Sequence, residues 1–244
     1  MKPSITIVTV TLNVANVLPR LIESLRAQTD RKFSHIVIDG ASNDGTRDVI
    51  AAANDVVTQS ISEPDRGVFD ALNKALPLIR TDYYLVMGAD DTLEPNAIAN
   101  FRSVAECTTA DVVIADVKAG NHIRRGYHPE RHWRGPASMY TSHSVGTLLR
   151  TRLHQRFGEY SLLYPIIADS FYVKQLCQSR DVKIVAGDFV AGEFGMSGCS
   201  NRNFVRTLCE LWCVQRDTNE NAFLQYLLFQ LRILRHFSKV VSRN

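Results

Sequence analysis

Three apolar runs that each stop at a polar or small residue constrain this chain most. Ile5 to Thr11 (ITIVTVT), Phe33 to Ile38 (FSHIVI) and Tyr84 to Met87 (YLVM) are short and rich in β-branched or aromatic residues. Such runs read as strands buried in a sheet rather than as helices. Between the first two lie Leu18, Leu21, Ile22 and Leu25 at helical spacing, with Pro19 in the first turn where it is tolerated. The polar turn Ala41 to Thr46 then opens a second helix through Val49 and Ile50. Strand, helix, strand, helix in short succession predicts an α/β fold on a mostly parallel sheet with right-handed crossovers. Ligands bind such sheets beyond the carboxyl ends of the strands. Asp39 and the pair Asp90-Asp91 fall at such ends.

The third run ends on Gly88 and Ala89, which leave room for a close approach to the backbone. Adjacent carboxylates there repel each other and lose solvation, so they need a compensating partner. A divalent Mg²⁺ or Mn²⁺ is one, since it takes one or two carboxylates and completes its shell with phosphate oxygens and water. The plainer reading is an acidic turn before a helix that starts near Pro95. Thr92 to Pro95 reads as turn and helix start.

Farther along, Val56 to Ser60 predicts a third strand, and Ser62 to Gly67 (SEPDRG) is a charged loop before a helix from Val68 through Leu76. Asp65 and Arg66 are either solvated loop charges or groups within reach of a bound nucleotide. Asn96 to Cys107 reads as helix and Asp111 to Val117 as strand. Asn121 to Tyr140 is irregular and basic. His128 and His132 are four apart, but with Pro129 between them and no third ligand they fit a surface loop better than zinc. Leu162 to Leu176 puts Asp169 at the head of a helix that buries Phe171, Val173 and Leu176, where an N-cap is the plain role. Val182 to Val185 and Phe189 to Glu193 read as short strands.

Several function classes are excluded. Gly40 to Arg47 resembles a phosphate loop in its glycine spacing, but Arg47 follows Thr46 where Gly-Lys-Ser/Thr is required, and no GxGxxG follows either opening strand. A formal net charge of +3 gives no reason to expect nucleic acid as a partner. The five scattered cysteines, with no CxxC pair, predict buried reduced thiols. The opening MKPSITIVTVTLN has no signal-peptide core, and no apolar run reaches spanning length. A cytoplasmic chain is the expectation.

Five stretches together resemble the family 2 inverting glycosyltransferases. They are ITIVTVTLN, HIVIDGASNDGT, SEPDRGVFDALNKAL, the strand ending Ala89-Asp90-Asp91, and Ala168-Asp169 at a helix start. The resemblance runs from about Ile5 to about Leu176 and implies the GT-A fold of nucleotide-diphospho-sugar transferases. It further implies that Asp39 hydrogen-bonds the nucleobase and that the Thr9 to Asn13 turn, with Thr9, Thr11 and Asn13, lies along the nucleotide. Asp65 and Arg66 would lie near the base or diphosphate, and Asn73 would face the donor. Asp90 and Asp91 match the family's DXD-type element, Asp91 as the direct ligand of Mn²⁺ or Mg²⁺ and Asp90 on the donor. Asp169 matches the catalytic base, with His143 as the next candidate. The family often has Asn where Met87-Gly88 stands and a second acid after its base, where this chain has Ser170-Phe171. The QxxRW motif of processive members is absent, so the likeness is to single-sugar transferases.

The chemistry is coherent on its own terms. Transfer from a nucleotide sugar leaves a diphosphate whose growing charge a divalent metal neutralises. The acceptor hydroxyl needs a carboxylate within hydrogen-bond reach to take its proton. A sugar-1-phosphate nucleotidyltransferase is one rival, but Thr11 to Ala15 lacks the Gly-rich basic loop it would carry after the first strand. A non-catalytic sugar-nucleotide-binding scaffold is another, disfavoured by Asp39, Asp90, Asp91 and Asp169 occurring together.

Residues 1–200 are expected to form the catalytic domain and 201–244 a helical, basic, amphipathic tail. From Phe223 to Val241, Leu224, Leu227, Leu228, Leu231, Leu234 and Val241 recur at helical spacing. Arg232, Arg235, His236, Lys239 and Arg243 fall on the opposite side, and no acid occurs from Asn221 onward. Such a helix, about 28 Å long, carries too many charges to span a bilayer. It would lie instead on an anionic membrane surface, each Lys or Arg adding about 1 kcal/mol. That station suits a glycan or lipid-linked glycan acceptor, as polysaccharide-assembly members of the family use.

Overall fold

The structure, a computed structural model, describes residues 2–130, 139–140, 143–195, 204–218 and 220–235. The chain begins with β1 (Ile5–Thr11), α1 (Leu18–Arg26), β2 (Phe33–Asp39), α2 (Thr46–Ala52), β3 (Gln59–Ser62), α3 (Val68–Ala75) and β4 (Tyr83–Gly88). β2 and β4 flank β1 in parallel, and β3 extends the sheet in parallel outside β2. Then follow β5 (Thr92–Leu93), α4 (Ala97–Thr108), β6 (Val112–Ala119), β7 (His122–Arg124), β8 (Thr147–Arg150) and α5 (Leu153–Phe157). The rest is α6 (Ala168–Gln178), β9 (Ile184–Glu193), α7 (Phe204–Asp217) and α8 (Ala222–Arg235). Beyond β4 the sheet is mixed: β8 runs antiparallel to β4 and β6, β9 parallel to β6, and β5 antiparallel to β9.

Period-two alternation along the strands builds two cores, one on each face. Ile5, Ile7, Val37 and Leu85 pack under α1 and α4 with Leu21, Leu25, Ile98 and Phe101. Val8, Ile36, Ile38 and Tyr84 face α3 and α6, with Phe69, Leu72, Tyr172, Val173 and Leu176. Both faces of the central strands are thus covered, which is why even the polar Thr6, Thr9 and His35 in them are buried.

Several sequence-based expectations need correction. The third strand is Gln59–Ser62 rather than Val56 to Ser60, because the Val56 and Val57 amides both bond back to Ala53 O and close the end of α2. Thr92 and Leu93 form a short strand against β9 instead of starting a helix. The two short strands expected near residue 190 are one, β9, with an irregular register against β6. Of α6, Phe171 is only half-buried, while Tyr172 and Lys174 are buried. The described cysteines are unbridged, but Cys107 and Cys209 are exposed rather than buried.

The tail also departs from its expected pattern. Arg232 does not join a solvated basic face: it reaches back to Gln215 Oε1 on α7 at 3.2 Å, and burial pulls its pKa down. His236, Lys239, Val241 and Arg243 lie outside the described residues, as do His132 and its neighbours in the basic loop. Among the described residues no helix is long and apolar enough to cross a membrane.

Candidate active site

The carboxyl ends of the parallel strands are in register, with Thr11 beside Asp39, Asp39 beside Ser62, and Val10 beside Gly88. Asp39 organises that edge. Its Oδ1 accepts from the hydroxyls of Thr11 (2.9 Å) and Ser42 (2.5 Å), and its Oδ2 from Ser42 N (2.9 Å) and the Ser62 hydroxyl (2.7 Å). Burial pushes the carboxyl up, but Ser42, Ser62 and Thr11 together outweigh it and hold Asp39 below the usual carboxylate range. Four donors fill its lone-pair sites. A nucleobase reaching Asp39 therefore has to displace a serine or threonine hydroxyl.

The loops after β1 and β2 are joined through side chains. Asn13 takes a left-handed backbone (φ 53°), which asparagine tolerates, and its Oδ1 accepts Asn43 N while its amide donates to the Ser42 hydroxyl. The amides of Val14 and Ala15 donate to Thr46 Oγ1 and Asp44 Oδ2. Asp65 lies against this edge. A Cβ on Gly40 would fall 2.5 Å from Asp65 Oδ2, so a larger residue there would turn the Asp65 carboxylate aside. Arg66 stays on the rim, 78% exposed and paired with Asp70 at 2.8 Å.

Two residues that the family resemblance assigns to the nucleotide and donor hydrogen-bond within the protein. Thr9 is fully buried inside β1, its hydroxyl 3.0 Å from His35 Nε2. Asn73 bonds to the backbone of Tyr160: its Nδ2 donates to Tyr160 O (2.8 Å) and its Oδ1 accepts Tyr160 N (2.9 Å), clamping the loop before α6.

Asp90 and Asp91 occupy the turn after β4. Asp91 is 1% exposed. Its Oδ2 accepts Gly88 N (2.7 Å) and its Oδ1 accepts Gly195 N (2.9 Å), which ties the turn to the end of β9. Burial raises its pKa, His143 and the two amides pull it back down, and Asp90 pushes it up again, for a net rise. His143 Nδ1 stands 3.9 Å from Asp91 Oδ2, and its ring stacks on Phe194 at 4.8 Å. Sequence reasoning missed Gly195. A Cβ there would lie 2.0 Å from Asp90 Oδ2, and no motif marks the position. It also missed Ser42 and Ser62, although both fall inside the stretches that carry the family resemblance.

Asp169 is the second residue of α6, not its cap, because Ile167 holds that position. It accepts Ser170 N at 2.7 Å and faces a small cavity lined by Val86, Tyr140, Thr147, Leu149, Tyr160 and Val173. Burial raises its pKa, and His143 lowers it in part.

The acidic turn fits a hard divalent cation. A buried carboxylate with one amide on each oxygen keeps lone pairs available, and its neighbour is another carboxylate. Among the described residues no group of three or more metal-ligating side chains occurs. Two carboxylates with ligand oxygens and water completing the shell is how Mg²⁺ and Mn²⁺ are commonly held beside phosphates.

Comparison with known proteins gives consistent results. The family described as Glycosyl transferase family 2 matches residues 6–169. A PGL/p-HBAD biosynthesis glycosyltransferase of Mycobacterium tuberculosis is 37% identical over 120 residues, 47% of each chain. Succinoglycan biosynthesis protein ExoO of Rhizobium meliloti is 28% identical over 113 residues, 46% of this chain and 32% of that one. The matched region thus covers about half or less of these relatives' lengths. Among solved structures, the mannosyltransferase PcManGT of Pyrobaculum calidifontis, in complex with GDP-Man and Mn²⁺, aligns with a TM-score of 0.67. Its identity is 17%, over 89% of this chain and 64% of that one. S. aureus TarS 1–349 gives a TM-score of 0.65 at 15% identity, over 96% and 72%, and has been crystallised with UDP and with UDP-GlcNAc. At these identities the structural likeness speaks for the GT-A fold.

Gly195→Ala tests the built contact at the acidic turn. The new Cβ must push Asp90 aside, so Mn²⁺-dependent binding of UDP or GDP should weaken by roughly 10-fold or more, the range seen for groups that orient metal ligands. Calorimetric titration with and without Mn²⁺ measures it. Unchanged affinity would mean that Asp90's position does not matter for the metal.

Proposed function

The chain belongs to glycosyl transferase family 2, and from that membership we propose that it transfers one sugar from a UDP- or GDP-sugar to a hydroxyl acceptor with inversion. What carries the reading is the placement of two buried carboxylates: Asp91 in the turn after β4, 3.9 Å from His143, and Asp169 at the head of α6, facing a small cavity. In the reaction the acceptor oxygen bonds the anomeric carbon, the bond from that carbon to the diphosphate breaks, and the acceptor proton passes to Asp169. A carboxyl whose pKa is raised by burial holds a proton better and is a stronger base for that step. Asp91, with Asp90 beside it, would hold Mn²⁺ or Mg²⁺. When bound, the metal supplies charge neutralisation at the departing diphosphate. Thr11, Asn13, Asp39 and Asp65 would line the nucleoside end, with Arg66 at its rim.

The relatives named for glycosyl transfer and for succinoglycan biosynthesis support a glycan acceptor, which in this proposal is a lipid-linked glycan of cell-surface polysaccharide assembly. A peripheral position on the cytoplasmic membrane accords with α8. Along one side of it Phe223, Leu227, Leu231 and Leu234 stand exposed, with Arg235 exposed at its end.

A thermal-shift panel tests the donor. In the presence of Mn²⁺, one nucleotide sugar at about 100 times its dissociation constant should add about 2.7 kcal/mol of stability. Asp91→Ala should lose that response while keeping its own fold. A wild-type protein with no metal-dependent response to any donor would point to the scaffold reading instead.

Asp169→Asn keeps the size of the side chain but cannot take a proton. Turnover should fall by roughly 100-fold or more with donor binding intact. In the wild type, activity requires ionised Asp169. Because its pKa is raised, activity should be lost as pH falls through a limb above the ordinary carboxylate range. A mutant with most of its rate would move the base elsewhere, His143 first.

Vesicle flotation tests the surface. The protein should float with phosphatidylcholine vesicles containing phosphatidylglycerol, less so at high salt, and Leu227→Glu/Leu231→Glu should stay at the bottom. Equal flotation by the two proteins, or none by either, would remove the membrane from the account.

A further inference from the structure

The helix that carries Asp169 is fastened at both ends to the C-terminal helices. Before α6, the Tyr164 hydroxyl donates to the Asp217 carboxylate, and Ile166 N donates to Glu210 Oε2 at 2.9 Å. After Asp169, Lys174 Nζ lies 2.8 Å from Glu220 Oε1, and Gln178 Nε2 donates to Thr218 O at 2.5 Å. Val214 of α7 is fully buried in the same core as Tyr172 and Val173.

The Lys174–Glu220 contact stands out because both side chains are only 2% exposed. It is an ion pair by distance, though the ammonium group is not aligned for a hydrogen bond. Glu220 is steered from α8, whose Gln225 Nε2 donates to Glu220 Oε2 at 2.6 Å. Burial lowers the Lys174 pKa, and Glu220 works against that. Taking two charges out of water costs several kcal/mol per ion, and well-packed apolar replacements are often neutral or stabilising. Stability alone is therefore a poor explanation for a buried pair on this helix. Removing one partner, in contrast, strands the other charge. Such a pair has one favourable arrangement, and its Lys174 sits about one and a half helical turns from Asp169.

We propose that Lys174 and Glu220 are positioning residues, which lock α6 to the C-terminal helix pair and so set where Asp169 stands for proton transfer. The inference rests on Asp169 being the base. The tail would then be part of what makes the catalytic half work, and not an independent appendage.

Two variants of the full chain test this. Glu220→Gln leaves Lys174 buried without a counter-charge. Lys174→Met/Glu220→Leu removes both charges and keeps the volume apolar. Hydrogen exchange of α6, the dissociation constant for UDP or GDP with Mn²⁺, the melting temperature and kcat for the nucleotide sugar selected by the donor panel are measured for each. In Glu220→Gln, exchange across residues 168–178 should rise at least about tenfold while β1 to β4 stay protected. Nucleotide affinity should remain within about twofold, and kcat should fall at least about tenfold, since small misplacements of a reacting group cost that much or more. The double variant should recover the melting temperature without recovering kcat. Recovery of both together would show a purely structural pair, and unchanged kcat in either variant would overturn the proposal. If Glu220→Gln fails to fold, the double variant decides alone. A wild-type chain that turns over no donor would instead sink the transferase reading itself.

Discussion

Asp39 accepts four hydrogen bonds where the first three strands end, and that edge of the sheet is built around them. Through Thr11, Ser42 and Ser62 that one carboxylate joins β1, the loop after β2, and β3. The two other buried carboxylates are held differently: Asp91 takes one amide on each oxygen, and Asp169 takes the amide of Ser170. Burial raises all three carboxyls; hydrogen bonds outweigh it at Asp39, while His143 and the amides offset it only in part at Asp91 and Asp169. Asp39 ends below its ordinary range, while Asp91 and Asp169 end above it.

That gradient maps onto chemistry. A saturated carboxylate makes a rigid scaffold and a poor proton acceptor. Under-satisfied ones are costly to keep charged, so they are receptive to a cation or a proton. The close approach of Gly195 to Asp90 and the stacking of His143 on Phe194 bring the end of β9 against the acidic turn. The two halves of the sheet therefore meet where metal and base chemistry are proposed. On the far side, α6 and the loop before it bond to α7 and to the segment that joins α7 to α8.

Much of the fold was legible in residue patterns. β1, α1, β2 and α2 follow from β-branched runs and helical spacing, signals set by burial on each face of one element. The boundaries that failed were those decided by partners. Val56 and Val57 have strand-like side chains, yet their amides close a turn with Ala53. Thr92 and Leu93 precede a proline and read as a helix start, but β9 offers them a ladder. Arg232 belongs to a basic helix face by spacing, and Gln215 draws it inward.

The site divides in the same way. The sequence by itself determined that carboxylates cluster at strand ends and which family they resemble, because both depend on residue type and order along the chain. Only the tertiary structure decided what each polar group does there. It buried Thr9 against His35, spent Asn73 on the backbone of Tyr160, and saturated Asp39. It also brought Gly195 to Asp90, and Lys174 to Glu220. A carboxylate's charge preference depends on how many donors reach it and how much water is excluded, and both are set by segments far away in sequence.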